Sequence, residues 1–245
     1  MSRFTFNRKE KIKGVKLVRE LFEQPDSVTV FPLKVFYSLK KEEENSFVKD
    51  GCLHIVAKKE NYASQGAAKE YTSARLDSKF AFQYGRIDVK AKLPSEAGTW
   101  PAIWTLGANI NEIGNYFGST YGSVGWPVCG EIDIMEQNGW NKTNLIGHLH
   151  YSNSNTNSYQ NEGGTTYVED SSGQYHIYSL IWTENTIQIL LDDVVFFERE
   201  NSQEIPYDNP HYLLLNIAMG GSWFEIDPDF IESTMEVDYI RVYEN

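Results

Sequence analysis

The chain has 245 residues, of which 41% are hydrophobic and 14% are aromatic, and its formal net charge is −12. This length suits one large domain, and no apolar run is long enough for a membrane-spanning helix. Residues 1–41 hold ten Lys and Arg against four Asp and Glu, a net of +6, which leaves −18 for residues 42–245. The acidic remainder argues against a nucleic-acid partner and favours a neutral ligand.

The first segment in chain order is basic. In residues 6–24 apolar side chains recur at three- and four-residue spacing, which predicts a short amphipathic helix. The stretch SVTVFPLKVFYSLK then predicts one or two strands. No apolar stretch of an export signal follows Met1, so the sequence leaves the location of the protein open. We therefore divide the chain into a basic segment, residues 1–43, and a domain, residues 44–245.

From Lys41 onward, short alternating segments are separated by Gly, Asn, Asp, Ser and Pro. Many short strands without a helical period predict an all-β sandwich. Residues 107–128 are too polar for a core strand and predict a long functional loop. The segments that predict strands are GCLHIVAK, YTSARLDSK, YGRIDVKAKL, EIDIME, LIGHLHY, HIYSLIWT, TIQILLDDVVFFERE, HYLLLNIAM and MEVDYIRVYE.

The segment GEIDIMEQNG holds Glu131, Asp133 and Glu136 within six positions. Side chains alternate along a strand, so strict alternation would turn Glu136 towards the core. Because an unpaired carboxylate in the core is costly, we predict a β-bulge near Ile134 and Met135 that returns Glu136 to the acidic face. Crowding raises at least one pKa among the three carboxyl groups, so one of them can hold a proton near neutral pH.

One ionised and one protonated carboxyl group are what glycoside hydrolysis needs. Their separation is about 5–5.5 Å in the retaining mechanism and about 6.5–9.5 Å in the inverting one. The alternatives for the acidic residues are a calcium site or a solvated acidic strand. If LIGHLHY pairs with the acidic strand, His148 and His150 lie opposite Asp133 and Glu131. There they either contact substrate, tune the carboxylates or are satisfied structural groups.

Tryptophan is the other candidate ligand-binding residue type. An indole ring can stack on a sugar while its N–H keeps a hydrogen-bond partner, although most tryptophans are core residues. Trp100, Trp126 and Trp140 lie beside Gly- and Pro-rich connections and are the better candidates for stacking. Cys52 and Cys129 are too few for a disulfide framework, and their pairing stays open.

Several segments together resemble the family 16 glycoside hydrolases, and within that family the bacterial laminarinases, which are endo-β-1,3-glucanases. The resemblance covers residues 44–245 and implies a β-jelly-roll sandwich whose concave face is an open glucan cleft. It also implies a β-glucan polysaccharide or oligosaccharide as ligand, and we expect a monomer. The segments are YTSARLDSKFAFQYGRIDVKAKLP, GTWPAIWTLG, GEIDIMEQNG, GHLHY, YSLIWT, LLLNIAMGGSW and VDYIRVYE.

The resemblance also implies roles for individual residues. Glu131 would be the nucleophile, Glu136 the acid/base, and Asp133 the residue that orients and tunes the nucleophile. Met135 corresponds to the bulged form of laminarinases, since lichenases lack that residue. No cofactor is expected for catalysis, but Asp238 would belong to a structural cation site, such as a calcium site. The residues implied to line the sugar subsites are Asn45, Arg75, Trp100, Trp104, His150 and Asn216.

The chain departs from that family near its start. An F-x-DEF-type strand and an Asn-Glu-Leu-Gln-like segment are expected before Asn45 and are not present. Residues 3–41 instead resemble the N-terminal part of the bacterial ribonuclease P protein component, which is basic and binds RNA. The strands predicted before Lys41 would then replace the missing strand pairing at the sheet edge.

The sequence therefore predicts a retaining, endo-acting glycoside hydrolase that cleaves β-1,3-glucan by double displacement. One alternative is the same scaffold acting on mixed-linkage β-1,3-1,4-glucan or on another marine polysaccharide, such as agar or carrageenan. A second is a non-catalytic glucan-binding module.

Overall fold

The structure is a computed structural model, and it describes residues 44–64, 67–112, 114–221 and 224–243. Over those ranges every regular element is a β-strand. The helix, the strands and the basic segment predicted for residues 1–43 lie outside the described residues. Within the described part of the chain there is no helix with the length and apolar character needed to cross a bilayer.

The strands form a sandwich of two antiparallel sheets, which agrees with the all-β sandwich predicted from the sequence. In chain order they are β1 (Ser46–Lys49), β2 (Cys52–Ser64), β3 (Ala67–Thr72), β4 (Arg75–Phe82), β5 (Gly85–Lys92), β6 (Thr99–Gly107), β7 (Glu131–Glu136), β8 (Asn144–Asn153), β9 (Ser158–Tyr167), β10 (His176–Trp182), β11 (Thr186–Leu191), β12 (Val194–Glu200), β13 (His211–Met219) and β14 (Glu232–Tyr243).

The eight-stranded sheet has the order β1-β2-β14-β5-β10-β11-β12, with β3 paired to β2, and the six-stranded sheet has the order β4-β13-β6-β7-β8-β9. The inward faces of both sheets enclose one large apolar cluster. Alternation along β13 shows the two faces of the six-stranded sheet. Leu213, Leu215 and Ile217 enter the core, whereas Tyr212 and Leu214 point to the outer face.

A second, smaller apolar cluster lies on that outer face. Ala108 and Ile110, from the predicted polar loop, pack there against Leu106, Tyr212 and Leu214. An isolated bridge between Ile110 and Val124 closes the base of the loop. The loop is therefore held against the sheet by its few apolar residues, although most of its residues are polar.

Two predicted strand segments are wrong as single elements. YTSARLDSK is the end of β3 and the start of β4. TIQILLDDVVFFERE is the hairpin β11–β12, because Asp192 and Asp193 have φ of 48° and 66°, as a two-residue turn with two left-handed residues requires. Strand β9, at the edge of the six-stranded sheet, was not predicted, because its sequence SYQNEGGTTY is polar and mostly exposed.

Candidate active site

The acidic strand β7 carries the predicted bulge. Asp133 pairs with Trp104 of β6 while Met135 pairs with Ile103, so Ile134 is the extra residue on β7. Ile134 and Met135 are both buried in the core. Glu136 consequently returns to the outer face, which confirms the bulge expected from the three-residue gap.

Each carboxyl group lies near a side-chain nitrogen atom, and the three nitrogen atoms come from different elements. The indole Nε1 of Trp126 donates to Glu131 Oε2 at 3.0 Å, and that of Trp100 donates to Glu136 Oε1 at 2.7 Å. His150 Nε2 lies 3.3 Å from Asp133 Oδ2. Asp133 and Glu136 are only 3% and 9% exposed, so these contacts replace much of their hydration.

The pKa of each of the three carboxyl groups is raised. Burial and then Asp133 raise the pKa of Glu131 well above the ordinary glutamate value, while His150 and the Trp126 hydrogen bond act in the other direction. Burial and then Glu136 raise the pKa of Asp133 well above its ordinary value. Burial raises the pKa of Glu136, opposed by the Trp100 hydrogen bond and by His150. The cluster therefore holds protons at a higher pH than isolated carboxyl groups do.

One part of the cluster has the ligand types of a metal site. Oxygen atoms of Glu131 and Asp133 and a ring nitrogen of His150 lie within 4.8 Å of one another. Trp126 already donates to Glu131, however, and the raised pKa values favour the protonated forms of both carboxyl groups, which bind a metal less well than the ionised forms do. We therefore assign the group to acid–base chemistry and assign no metal to it.

Both histidines of β8 lie where the pairing predicted them. Glu131 is opposite His150, and Asp133 is opposite His148. The two imidazole rings meet edge to face with centroids 5.6 Å apart. Burial, and then the neighbouring His150, lower the pKa of His148.

Arg75, Trp104 and Asn216 form a second group on the same face. Trp104 Nε1 donates to Asn216 Oδ1 at 2.7 Å, and the Arg75 guanidinium lies 5.1 Å from the centre of the Trp104 ring. The Arg75 side chain also bonds to Asp77 at 2.9 Å and to Glu112 at 2.7 Å. These bonds hold the guanidinium over the ring.

Trp126 and Trp140 are both half exposed, at 51% and 54%. Trp126 lies beside the carboxylates and contacts the ring of His150. Trp140 follows β7, and its Nε1 donates to the carbonyl oxygen of Glu225 at 2.8 Å rather than to a carboxylate. Each indole ring is therefore partly exposed to solvent, as a stacking role requires.

Two predicted residues lie away from the carboxylates. Asn45 is fully buried, and its Nδ2 donates to Val56 O at 2.9 Å and Thr72 Oγ1 at 3.1 Å in the eight-stranded sheet. It therefore presents no surface to a sugar. Asp238 lies at a bulge of β14, where Lys90 Nζ donates to it at 2.9 Å.

Asp238 stays a predicted ligand of a structural cation, because calcium also takes backbone carbonyl and water oxygens as ligands. Its carboxylate already has a cation, the Lys90 ammonium. Among the described residues, one group of three or more acidic, His or Cys side chains has the spacing of metal ligands. It consists of Glu131, Asp133 and His150 and does not include Asp238. The described cysteines, Cys52 and Cys129, are free thiols.

Three supporting residues were missed in the sequence. Glu112 accepts from Arg75 and from the Tyr212 hydroxyl, both at 2.7 Å. The hydroxyl of Tyr207 donates to Glu131 O at 2.9 Å, and the hydroxyl of Tyr159 lies 2.7 Å from His150 Nδ1. They come from loops and an edge strand distant in sequence, and no local spacing marked them.

Gly163 of β9 is required for the position of His148. A Cβ at Gly163 would overlap with the His148 ring and with the carbonyl oxygen of Gly147. We expect Gly163→Ala to lower the free energy of unfolding by about 1–3 kcal/mol through this overpacking. Urea denaturation measures the change. Gly125→Ala is the matched control, because its Cβ would meet open space, and equal losses in both variants would contradict the prediction.

The family model of glycosyl hydrolases family 16 matches residues 35–241. The crystal structure of LamAcat from Zobellia galactanivorans is 52% identical with a TM-score of 0.85, covering 91% of this chain and 89% of that chain. A substituted LamA from the same organism, in complex with laminaritriose and laminaritetraose, gives the same identity and TM-score over 91% and 90% of the two chains.

Two curated relatives extend the comparison. A beta-glucanase of Rhodothermus marinus is 36% identical over 221 residues, which are 84% of this chain and 73% of that protein. Glucan endo-1,3-beta-glucosidase A1 of Niallia circulans is 32% identical over 224 residues, 82% of this chain. The chain spans 31% of the length of the Niallia circulans protein.

Proposed function

The chain belongs to family 16 of the glycosyl hydrolases, and from that membership we propose that it is an endo-β-1,3-glucanase that retains the anomeric configuration. It is a glycosidase of the laminarinase type. The observation that carries the proposal is the convergence of Glu131, Asp133 and Glu136 on one face of β7, with an indole donor on each glutamate.

In the first step Glu131 acts as the nucleophile. An oxygen of its ionised carboxylate forms a bond to the anomeric carbon, and the bond from that carbon to the glycosidic oxygen breaks. Glu136 gives its proton to that oxygen, so the leaving sugar departs as a neutral alcohol. Because its pKa is raised, Glu136 keeps this proton to higher pH than an ordinary glutamate does.

In the second step Glu136, now ionised, takes a proton from water. The resulting hydroxide-like oxygen bonds to the anomeric carbon, and the ester bond to Glu131 breaks, which restores both carboxyl groups. Asp133 lies between the two glutamates on the same strand and, in this proposal, orients and electrostatically tunes Glu131. The half-exposed rings of Trp126 and Trp140 are proposed platforms for the sugar chain.

The β-1,3 linkage is supported by the relatives. One relative is described as a glucan endo-1,3-beta-glucosidase, and the LamA complex contains laminaritriose and laminaritetraose. A panel of laminarin, lichenan, agarose and carrageenan in a reducing-sugar assay tests the proposal. We expect release of short oligosaccharides from laminarin at the highest kcat/KM. A higher kcat/KM on lichenan would instead favour a mixed-linkage enzyme, and laminarin binding without products would favour a binding module.

The hydrogen bond from Trp100 to Glu136 predicts how kcat/KM depends on pH when Trp100 is replaced. Its N–H stabilises ionised Glu136 and so lowers the pKa of that carboxyl group. In Trp100→Phe the pKa rises, Glu136 keeps its proton to higher pH, and the alkaline limb of the kcat/KM profile moves up by about one pH unit. Trp140→Phe also removes an indole N–H, but one that bonds to a backbone carbonyl, so its alkaline limb should not move. A downward shift in Trp100→Phe would contradict the assignment.

A further inference from the structure

Tyr159 connects the polar edge strand β9 to the acidic cluster. Its hydroxyl lies 2.7 Å from Nδ1 of His150, and the two rings are parallel within 1° with centroids 6.0 Å apart. The ring of Trp126, which donates to Glu131, packs against Tyr159 at 5.3 Å. Tyr159 thus contacts Trp126, which donates to Glu131, and His150, which lies beside Asp133.

The opposite nitrogen of His150 faces Asp133. Asp133 Oδ2 is buried and has no aligned hydrogen bond in the described part of the chain, and His150 Nε2 lies 3.3 Å from it. A buried carboxylate oxygen without a donor is unfavourable, because it loses its hydration without a replacement. Catalytic hydrogen bonds are often long in the free enzyme and shorten when substrate binds. A hydrogen atom on Nε2 would therefore satisfy this oxygen.

A neutral imidazole carries one hydrogen atom, on Nδ1 or on Nε2. The partner of one nitrogen decides which tautomer is present. If the Tyr159 hydroxyl donates to Nδ1, the hydrogen atom is on Nε2 and points to Asp133. In the other tautomer the Nε2 lone pair would face an ionised Asp133, which is repulsive.

We propose that Tyr159 is a positioning residue for the hydrolysis: its hydroxyl donates to His150 Nδ1, fixes the hydrogen atom on Nε2, and so stabilises ionised Asp133 beside the nucleophile. The kinetic part of this inference rests on the proposed function. Burial and Glu136 raise the pKa of Asp133, and in this proposal a hydrogen atom on Nε2 acts against that rise. The other titratable groups beside His150 and Asp133 are Glu131 and Glu136 of β7, His148 of β8, and Tyr207.

The tautomer can be measured without activity. In protein labelled with ¹⁵N-histidine, the His150 resonances are assigned by their loss in His150→Gln. We expect an unprotonated Nδ1 and a protonated Nε2 in the unsubstituted chain at neutral pH. In Tyr159→Phe we expect both nitrogen shifts to move towards a mixture of tautomers. A hydrogen atom on Nδ1 in the unsubstituted chain would overturn the proposal, whatever the substrate of the enzyme is.

Kinetics test the consequence for the reaction. In Tyr159→Phe we expect kcat on laminarin to fall about tenfold with little change in KM. Ionised Asp133 loses stabilisation, so its pKa rises and the acidic limb of the kcat/KM profile moves to higher pH. Tyr167→Phe, the same change at an exposed position of the same strand, should leave kcat and the profile unchanged. An unmoved acidic limb in Tyr159→Phe, or an equal effect in Tyr167→Phe, would overturn the proposal.

Discussion

Replacement of Glu131 by Ser is expected to lower kcat/KM on laminarin by at least about 10⁴-fold, because no covalent glycosyl intermediate can form. The side chain is partly buried, and Trp126 donates to its Oε2 at 3.0 Å, so the shorter residue leaves a space beside the anomeric carbon. Reducing-sugar release from laminarin measures the loss.

A small anion distinguishes a nucleophile from a residue needed for folding. Azide can enter the space left in Glu131→Ser and attack the anomeric carbon of an aryl β-laminaribioside with a good leaving group. The product would be a glycosyl azide of inverted configuration. Glu169→Gln is the matched control, since Glu169 is an exposed glutamate outside the cluster, and full activity is expected there. Undiminished hydrolysis in Glu131→Ser would remove Glu131 from its assigned role.

Replacement of Glu136 by Gln should lower kcat on laminarin by about 10²–10⁴-fold, the usual contribution of a general acid. The loss should be much smaller for the first step of a dinitrophenyl glycoside, because that leaving group departs without a proton. Measurement of the burst of dinitrophenolate separates this step from hydrolysis of the intermediate.

The pH dependence gives the second measurement on Glu136. Its pKa is raised, so the protonated form that starts the reaction persists to higher pH than for an ordinary glutamate and is lost as the pH rises through that value. Glu136→Gln should therefore lose the alkaline limb of the kcat/KM profile. An alkaline limb that stays in place in the variant would assign the general acid to another group.

The family resemblance and the local pattern of β7 could both be recognised from the sequence. The gap between Asp133 and Glu136 predicted the bulge, since a carboxylate facing the core is unfavourable, and the register around Ile134 confirms it. Pairing across the Asn138 turn likewise predicted the histidines opposite the acids. These features depend on neighbours a few residues apart, so local physics determines them.

The contacts of residues that meet other strands could not be predicted from the sequence in the same way. Asn45 was assigned to a sugar subsite by its position in a motif, but it lies just before β1, and its amide donates to Val56 of β2 and Thr72 of β3 in the eight-stranded sheet. Asp238 is predicted to belong to a cation site, and the structure adds that Lys90 contacts it, because β14 pairs with β5. The contact between Lys90 and Asp238 joins residues 148 positions apart in the chain, and that between Asn45 and Thr72 joins residues 27 positions apart.

The sequence by itself determined the strand-rich fold, the face on which the three acids lie and the need for a bulge, because side-chain alternation and the cost of burying charge operate within one strand. Only the tertiary structure decided which donors meet those acids. Trp100, Trp126 and, through His150, Tyr159 come from separate elements, and strand order and register alone bring them to the carboxyl groups of β7.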